Sequence, residues 1–148
     1  MHFITGGVCQ GKRRWVYEHY DLDSYSNWKW QSAFETDLKL PNESSVERIH
    51  VIEGIEVAFK QSLTLQVEEC RDRWYHFFNA WCEWEREDHQ LVIIGADISK
   101  GIVPIQKSER IWRDLTGWCY QDLVKRSDRF DVIWCGLNQT LKLKEEVR

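Results

Sequence analysis

The chain has 148 residues, 43% of them hydrophobic, and this length and composition predict one domain over residues 1–148 with a core of its own. Lys and Arg number 20 against 24 Asp and Glu, and the net charge of −4 argues against a general nucleic-acid-binding surface. No apolar run approaches the roughly 20 residues of a membrane helix. The five cysteines form no CxxC pair, which predicts a cytoplasmic protein with reduced thiols.

The first half of the chain begins with a short apolar strand over residues 2–5, followed by a glycine-rich loop and a helix over 12–20. Residues 21–27 are polar and predict a loop, and alternation over 28–34 predicts an edge strand. A turn or a short helix start at 41–45 precedes a strand over 48–52 that ends at Glu53.

The second half contains the clearest helix, over residues 67–85, where apolar residues recur at three- and four-residue steps. The continuous apolar run 91–95 predicts a strand that is buried on both faces. A helix over 108–127 and strands over 130–135 and 140–143 follow. This alternation predicts an α/β fold, a three-layer sandwich with a mostly parallel sheet.

The loop between the first strand and the first helix has the G-x-x-x-x-G-K pattern of a phosphate-binding loop, in the run Gly6-Gly7-Val8-Cys9-Gln10-Gly11-Lys12. Backbone N–H groups in such a loop cradle phosphate oxygens, and the helix N-terminus adds partial positive charge. Lys12 would reach the β- and γ-phosphates, and the alternative is a lysine that merely starts a helix. The pattern predicts a P-loop domain that binds ATP or GTP.

The residue after this lysine departs from the pattern. Arg13 stands where the hydroxyl of a Ser or Thr would ligate Mg²⁺. A Mg²⁺ ion is therefore doubtful at this site, and we expect reduced or absent catalysis. Two roles are open for the guanidinium of Arg13, namely a fixed positive charge at the metal position or an ion pair with Glu53.

Two carboxylates follow predicted central strands. Glu53 ends the strand over 48–52, and Asp97 comes shortly after the strand over 91–95. Ligands bind at the carboxyl ends of parallel strands in open α/β sheets. Glu53 is a candidate metal ligand or a base for a substrate hydroxyl, and the alternative is a solvated carboxylate at a strand end. Asp97 has the same interpretations.

A longer pattern lies in the C-terminal half. Gly101-Ile102-Val103-Pro104 precedes the stretch Arg110-Ile111-Trp112-Arg113-Asp114-Leu115-Thr116-Gly117-Trp118-Cys119-Tyr120-Gln121. Together with the loop, it resembles the adenosylcobinamide kinase / adenosylcobinamide-phosphate guanylyltransferase family of cobalamin biosynthesis, whose members share a GIVP segment and an R-x-x-R-D-x-x-G-x-x-N-Q helix. Further candidate site residues are therefore Arg110, Arg113, Asp114 and Gln121. The arginines would face a nucleotide or a neighbouring subunit, or form ion pairs along the helix.

The resemblance implies transfer of a phosphoryl group from ATP or GTP to the hydroxyl of adenosylcobinamide, with a corrinoid as the partner and a homotrimer as the assembly. The guanylyl-transfer half is expected to be missing, because no histidine aligns with the family's nucleophile. His50 lies in a similar neighbourhood, Arg48-Ile49-His50, which we interpret as chance. The alternative function is a catalytically inactive homologue that serves as a binding or regulatory subunit.

Overall fold

The computed structural model describes residues 1–86 and 88–145. This part of the chain contains six strands and four α-helices, with a short 3₁₀ helix at Leu22–Ser24. The elements in chain order are β1 (His2–Gly6), α1 (Lys12–His19), β2 (Trp28–Ser32), β3 (Ile49–Glu53), α2 (Ile55–Gln61), α3 (Val67–Trp84), β4 (Gln90–Ala96), α4 (Lys107–Arg126), β5 (Arg129–Trp134) and β6 (Leu137–Leu143).

The strands form one six-stranded sheet in the order β2-β3-β4-β1-β5-β6. All neighbours are parallel except β5 and β6, which pair in the antiparallel direction. The predicted α/β fold with a mostly parallel sheet is confirmed. The apolar run of β4 lies between β1 and β3, as expected for a strand buried on both faces, and β2 is an edge strand as predicted.

Successive residues of the central strands point to opposite faces of the sheet, which creates two apolar layers. Phe3 packs in the larger layer, with Phe59 of α2, Trp81 of α3 and Leu115 of α4. Its neighbour Ile4 packs in the smaller layer, where α1 contributes its side chains. Each fully buried apolar side chain of this kind stabilises the fold by roughly 1.5–3 kcal/mol.

Most of the predicted elements lie within a few residues of their expected positions, and the differences concern short segments. The helix α2 was not expected, and β6 begins at Leu137 rather than at residue 140. The predicted loop at 21–27 contains the 3₁₀ helix. None of the described helices has the length and apolar character needed to cross a membrane.

The parallel register brings the carboxyl ends of three central strands to the same edge of the sheet. Gly6 at the end of β1 is paired with Ala96 at the end of β4, and Glu53 at the end of β3 is paired with Ile94. The glycine-rich loop, the start of α2 and the segment after β4 therefore surround one edge, where ligands of open α/β sheets bind.

Candidate functional site

The glycine-rich loop connects β1 to α1 in a conformation that depends on two of its glycines. Gly6 has a φ of 150°, and a Cβ atom added there would lie 2.2 Å from the carbonyl oxygen of Ile133 in β5. Gly11 precedes α1 with a φ of 93°, a value that side chains with a Cβ rarely adopt. The close approach to β5 and the turn into the helix thus require glycine at both ends of the loop.

The side chain and backbone of Gln10 anchor the loop to the turn between β5 and β6. The side-chain oxygen of Gln10 accepts a hydrogen bond of 2.8 Å from the backbone N–H of Cys135, and its backbone carbonyl accepts one of 2.8 Å from Gly136. The loop is therefore held at one end by β1, which it follows, and at Gln10 by the turn between β5 and β6. A loop fixed in this way presents preorganised backbone N–H groups to an anion.

Lys12 is the first residue of α1, and its side chain folds back over the loop. Its Nζ donates a hydrogen bond of 2.7 Å to the carbonyl oxygen of Gly7. Burial lowers the pKa of Lys12, an effect that the carboxylate of Glu56 partly offsets. The ammonium group is thus half-buried beside the loop, where phosphate oxygens would supply the strong negative partner that a single carbonyl does not.

A cavity of about 690 Å³ opens beside the loop. Loop residues and Lys12 form one wall, and Glu53, Glu56 and Val57 form a second wall at the end of β3 and the start of α2. The remaining walls are largely apolar and include Phe34 and Trp112. The volume lies within the usual range for ligand sites, and apolar walls with a few convergent charged groups are typical of them.

The guanidinium of Arg13 pairs with the carboxylate of Glu53 at the mouth of this cavity. Nε of Arg13 lies 3.1 Å from Oε2 of Glu53, and Nη2 lies 2.9 and 2.7 Å from Oε1 and Oε2. The indole N–H of Trp30 donates to the same Oε2, and the guanidinium lies 5.4 Å from the centre of the Trp30 ring. Of the two roles left open by the sequence, the structure shows the ion pair.

Glu56 is a second carboxylate in the cavity, and it is not among the residues predicted from the sequence. Glu56 is only 5% exposed, and its Oε2 accepts a hydrogen bond of 3.1 Å from the backbone N–H of Ala96. Burial raises the pKa of Glu56, and the Ala96 N–H and the nearby Lys12 oppose that rise. The available signal was a second glutamate three positions after Glu53, close to the carboxyl end of a predicted strand, where ligands of open α/β sheets bind.

The comparison with known protein families adds an independent observation. A family model described as cobinamide kinase / cobinamide phosphate guanyltransferase matches residues 22–141, which is most of the chain. The chain belongs to this family. None of the curated proteins matches it. The family match begins after the phosphate loop, so the assignment of the loop depends on its sequence pattern and geometry.

Asp97 is the remaining acidic candidate of this cobinamide kinase family member. Its carboxylate points toward the residues that directly follow it in the chain. Oδ1 of Asp97 accepts hydrogen bonds from the backbone N–H of Ser99 at 2.9 Å and from its hydroxyl at 2.6 Å. Its backbone N–H donates to the carbonyl of Gly6, which ties the loop to the end of β4. Among the described residues, Asp97 is not one of those that line the cavity.

The candidates on α4 lie outside the cavity as well. Nη1 of Arg110 donates to the carbonyl of Pro104 at 3.0 Å, and Nη2 of Arg113 donates to that of Lys100 at 3.3 Å, so both hold the segment before α4. The other two, Asp114 and Gln121, are exposed. The structure thus brings Lys12, Arg13 and Glu53 together, whereas the α4 candidates stay untested predictions.

Two aromatic residues of α4 do reach the site. The indole N–H of Trp112 donates a 2.7 Å hydrogen bond to the backbone carbonyl of Glu56, and the hydroxyl of Tyr120 donates a 2.6 Å bond to that of Ala96. Tyr120 is the residue that replaces the asparagine of the family pattern. Its ring fills the space beside Gly95, where an added Cβ would lie 2.3 Å from its hydroxyl.

His50 lies in β3 at the opposite end from Glu53 and is only 5% exposed. Its ring centre is 4.2 Å from that of Trp81, and Nε2 is 3.0 Å from the amide nitrogen of Gln31. Burial lowers the pKa of His50 to about 4, so the ring is neutral at physiological pH. No histidine lines the cavity within the described part of the chain.

Proposed function

We propose that this protein binds a nucleoside triphosphate, ATP or GTP, at the loop Gly6–Lys12 and transfers its terminal phosphoryl group to the hydroxyl of adenosylcobinamide. The observation that carries the proposal is the juxtaposition of the half-buried Lys12 with a cavity of about 690 Å³ that also contains the buried carboxylate of Glu56. Family membership supports the corrinoid acceptor, because the matched family is described as cobinamide kinase / cobinamide phosphate guanyltransferase.

The phosphate end of the proposed site consists of the loop backbone, the start of α1 and Lys12. The N-terminus of α1 contributes partial positive charge, since its first N–H groups have no partner within the helix. On nucleotide binding, Nζ of Lys12 exchanges its hydrogen bond with the Gly7 carbonyl for one with phosphate oxygens. That exchange replaces a neutral acceptor by a charged one, and hydrogen bonds between two charged groups are roughly twice as strong as those between neutral groups.

The acceptor end of the proposed site contains Glu56. As the acceptor hydroxyl oxygen forms its bond to the γ-phosphorus, the bond from that phosphorus to the bridging oxygen breaks, and the nucleoside diphosphate leaves. The hydroxyl proton passes to Oε1 or Oε2 of Glu56. Burial raises the pKa of Glu56, and a raised pKa brings a carboxylate closer to the value at which a general base works best near neutral pH.

The guanylyl-transfer reaction is outside this proposal. A guanylylated nucleophile has to reach the α-phosphate of a bound nucleotide, and the histidine in the matching neighbourhood, His50, is buried against Trp81. His50 lies at the opposite end of β3 from the cavity, and its side chain could reach the cavity only if β3 left the sheet. We therefore propose a kinase activity alone.

The second candidate function is a catalytically inactive homologue that acts as a binding or regulatory subunit. The ion pair of Arg13 with Glu53 favours it, because the pair engages the carboxylate that would otherwise hold a metal or a proton. The kinase requires both nucleotide at the loop and turnover, whereas the subunit requires no turnover.

Two assays separate these functions. Isothermal titration of ATP and of GTP is expected to show binding to the wild type and a loss of about tenfold or more in affinity for Lys12→Ala. The matched control is Lys125→Ala, since Lys125 is exposed on α4. Release of nucleoside diphosphate that depends on adenosylcobinamide supports the kinase, and binding without release supports the subunit. Absence of nucleotide binding by the folded wild type contradicts the kinase.

A further inference from the structure

The hydrogen bonds around Glu53 leave little acceptor capacity for a cation. Its two carboxylate oxygens accept three contacts of 2.7–3.1 Å from Nε and Nη2 of Arg13. The indole of Trp30 adds a further donor to Oε2. The Glu53 side chain is only 12% exposed, so water does not compete freely with these donors. The arrangement is a bidentate pair, the strongest form of arginine–carboxylate contact.

These residues do not fit the magnesium ion that phosphate loops of this pattern ordinarily use. Mg²⁺ requires a near-octahedral set of oxygen ligands, including the hydroxyl of the residue after the lysine. Arg13 supplies no acceptor atom at that position, because a guanidinium has donors only. An ion held by Glu53 would have to displace the guanidinium and Trp30 from the carboxylate, and would leave a positive charge beside itself.

The free edge of the Arg13 fork lies where it can serve an anion. Nε and Nη2 face Glu53, and within the described part of the chain Nη1 makes no hydrogen bond. Arg13 lines the same cavity as the loop, and its side chain is 55% exposed. A guanidinium that holds a carboxylate on one edge keeps N–H donors on the other, and their geometry matches a phosphate group.

We infer that this protein binds its nucleoside triphosphate without a divalent cation, and that Arg13, fixed by Glu53 and Trp30, supplies the charge that Mg²⁺ would otherwise bring. The inference depends on the proposed nucleotide site, and it names the form of the ligand, namely the metal-free triphosphate. It also assigns Glu53 a role as the group that positions Arg13, in place of the expected metal ligand or base.

Titration calorimetry of the wild type with GTP and with ATP, in excess Mg²⁺ and in EDTA, tests the inference. We expect dissociation constants that agree within about threefold between the two buffers. Affinity in Mg²⁺ that is lost in EDTA overturns the inference and leaves the proposed function standing. Absence of binding in both buffers overturns the proposed function, and the inference with it.

Substitution of the arginine provides the second arm. Arg13→Ser restores the hydroxyl, and we expect about tenfold weaker binding in EDTA together with recovery of that loss on addition of Mg²⁺. The matched control is Arg71→Ser, which removes an equally bidentate pair, with Asp122, between α3 and α4 and away from the cavity. R71S is expected to bind with the wild-type dissociation constants in both buffers.

A third variant tests the role of Arg13 even if the serine variant fails to fold. Arg13→Lys keeps a positive charge but cannot hold Glu53 in bidentate fashion. We expect R13K to bind nucleotide in EDTA more weakly than the wild type and more tightly than R13S. Equal affinity of all three proteins in EDTA, with circular dichroism showing that each is folded, contradicts the role assigned to Arg13.

Discussion

The pH dependence of folding stability follows from the burial of His50. The imidazole is 5% exposed, and its pKa falls from 6.5 to about 4 because burial disfavours the charged ring, with a smaller contribution from Lys29. Between these two pKa values the unfolded chain binds a proton at this position and the folded chain does not. Stability is therefore greatest above pH 6.5 and is lost as the pH falls toward 4.

The size of the effect follows from the shift. One pKa unit corresponds to about 1.4 kcal/mol, so His50 alone accounts for about 3 kcal/mol of stability lost across this interval. His2, which is also buried and has its pKa lowered to about 4, adds a loss in the same interval. The wild type should thus unfold at markedly lower urea concentrations at pH 4.5 than at pH 7.

Urea titrations followed by tryptophan fluorescence from pH 4.5 to 7.5 measure the effect. His50→Asn removes the titrating group, so over this pH range its free energy of unfolding should vary by about 2.5 kcal/mol less than that of the wild type. His76→Asn, at an exposed position of α3, is the control for loss of an imidazole. A profile of H50N parallel to the wild-type profile would show that protonation of His50 does not set the pH dependence, whatever the absolute stability of the variant.

Three further predictions concern the site and its supports. Glu56→Gln keeps an acceptor for the Ala96 N–H and removes a buried carboxyl whose raised pKa costs stability at pH 7.5. We therefore expect a higher Tm at pH 7.5 and no such gain near pH 4. Phosphoryl transfer should be about 10²-fold slower, because the general base is lost. Gly6→Ala should lower the free energy of unfolding by about 2 kcal/mol in urea titrations and abolish nucleotide binding, because the added Cβ meets a carbonyl of β5. The control is Gly117→Ala, whose added Cβ meets nothing within 4 Å, so this variant should be as stable as the wild type or more stable. Tyr120→Phe leaves the Ala96 carbonyl without its donor, which should cost about 1–3 kcal/mol in the same titrations.

The fold was predictable wherever a pattern extended over many residues. The continuous apolar run of β4 and the regular spacing in α3 specify a buried strand and an amphipathic helix, and both are present. The helix α2 was missed because it has only seven residues, too few for a periodicity to be recognised. One of them, Glu56, is a buried carboxylate on the face that a pattern analysis expects to be apolar.

The candidate site was predictable where local chemistry determined it. The loop, Lys12 and the pairing of Arg13 with Glu53 depend on a short segment and on the strand that ends beside it. Asp97 was expected at the same edge, but the direction of its carboxylate depends on a hydrogen bond to Ser99 that the sequence does not reveal. Site residues on a long helix such as α4 are harder to predict, because the rotation of the helix about its axis decides which of them reach the cavity.

The most direct test of the nucleotide site is hydrogen–deuterium exchange of the loop with and without a saturating nucleoside triphosphate. We expect slower exchange for the peptide that covers residues 6–12, since its N–H groups would bond to phosphate oxygens, and unchanged exchange in α3, which lies across the sheet from α1. Protection elsewhere in the chain, with the loop peptide exchanging as fast as in the free protein, would show that the nucleotide does not bind at this loop.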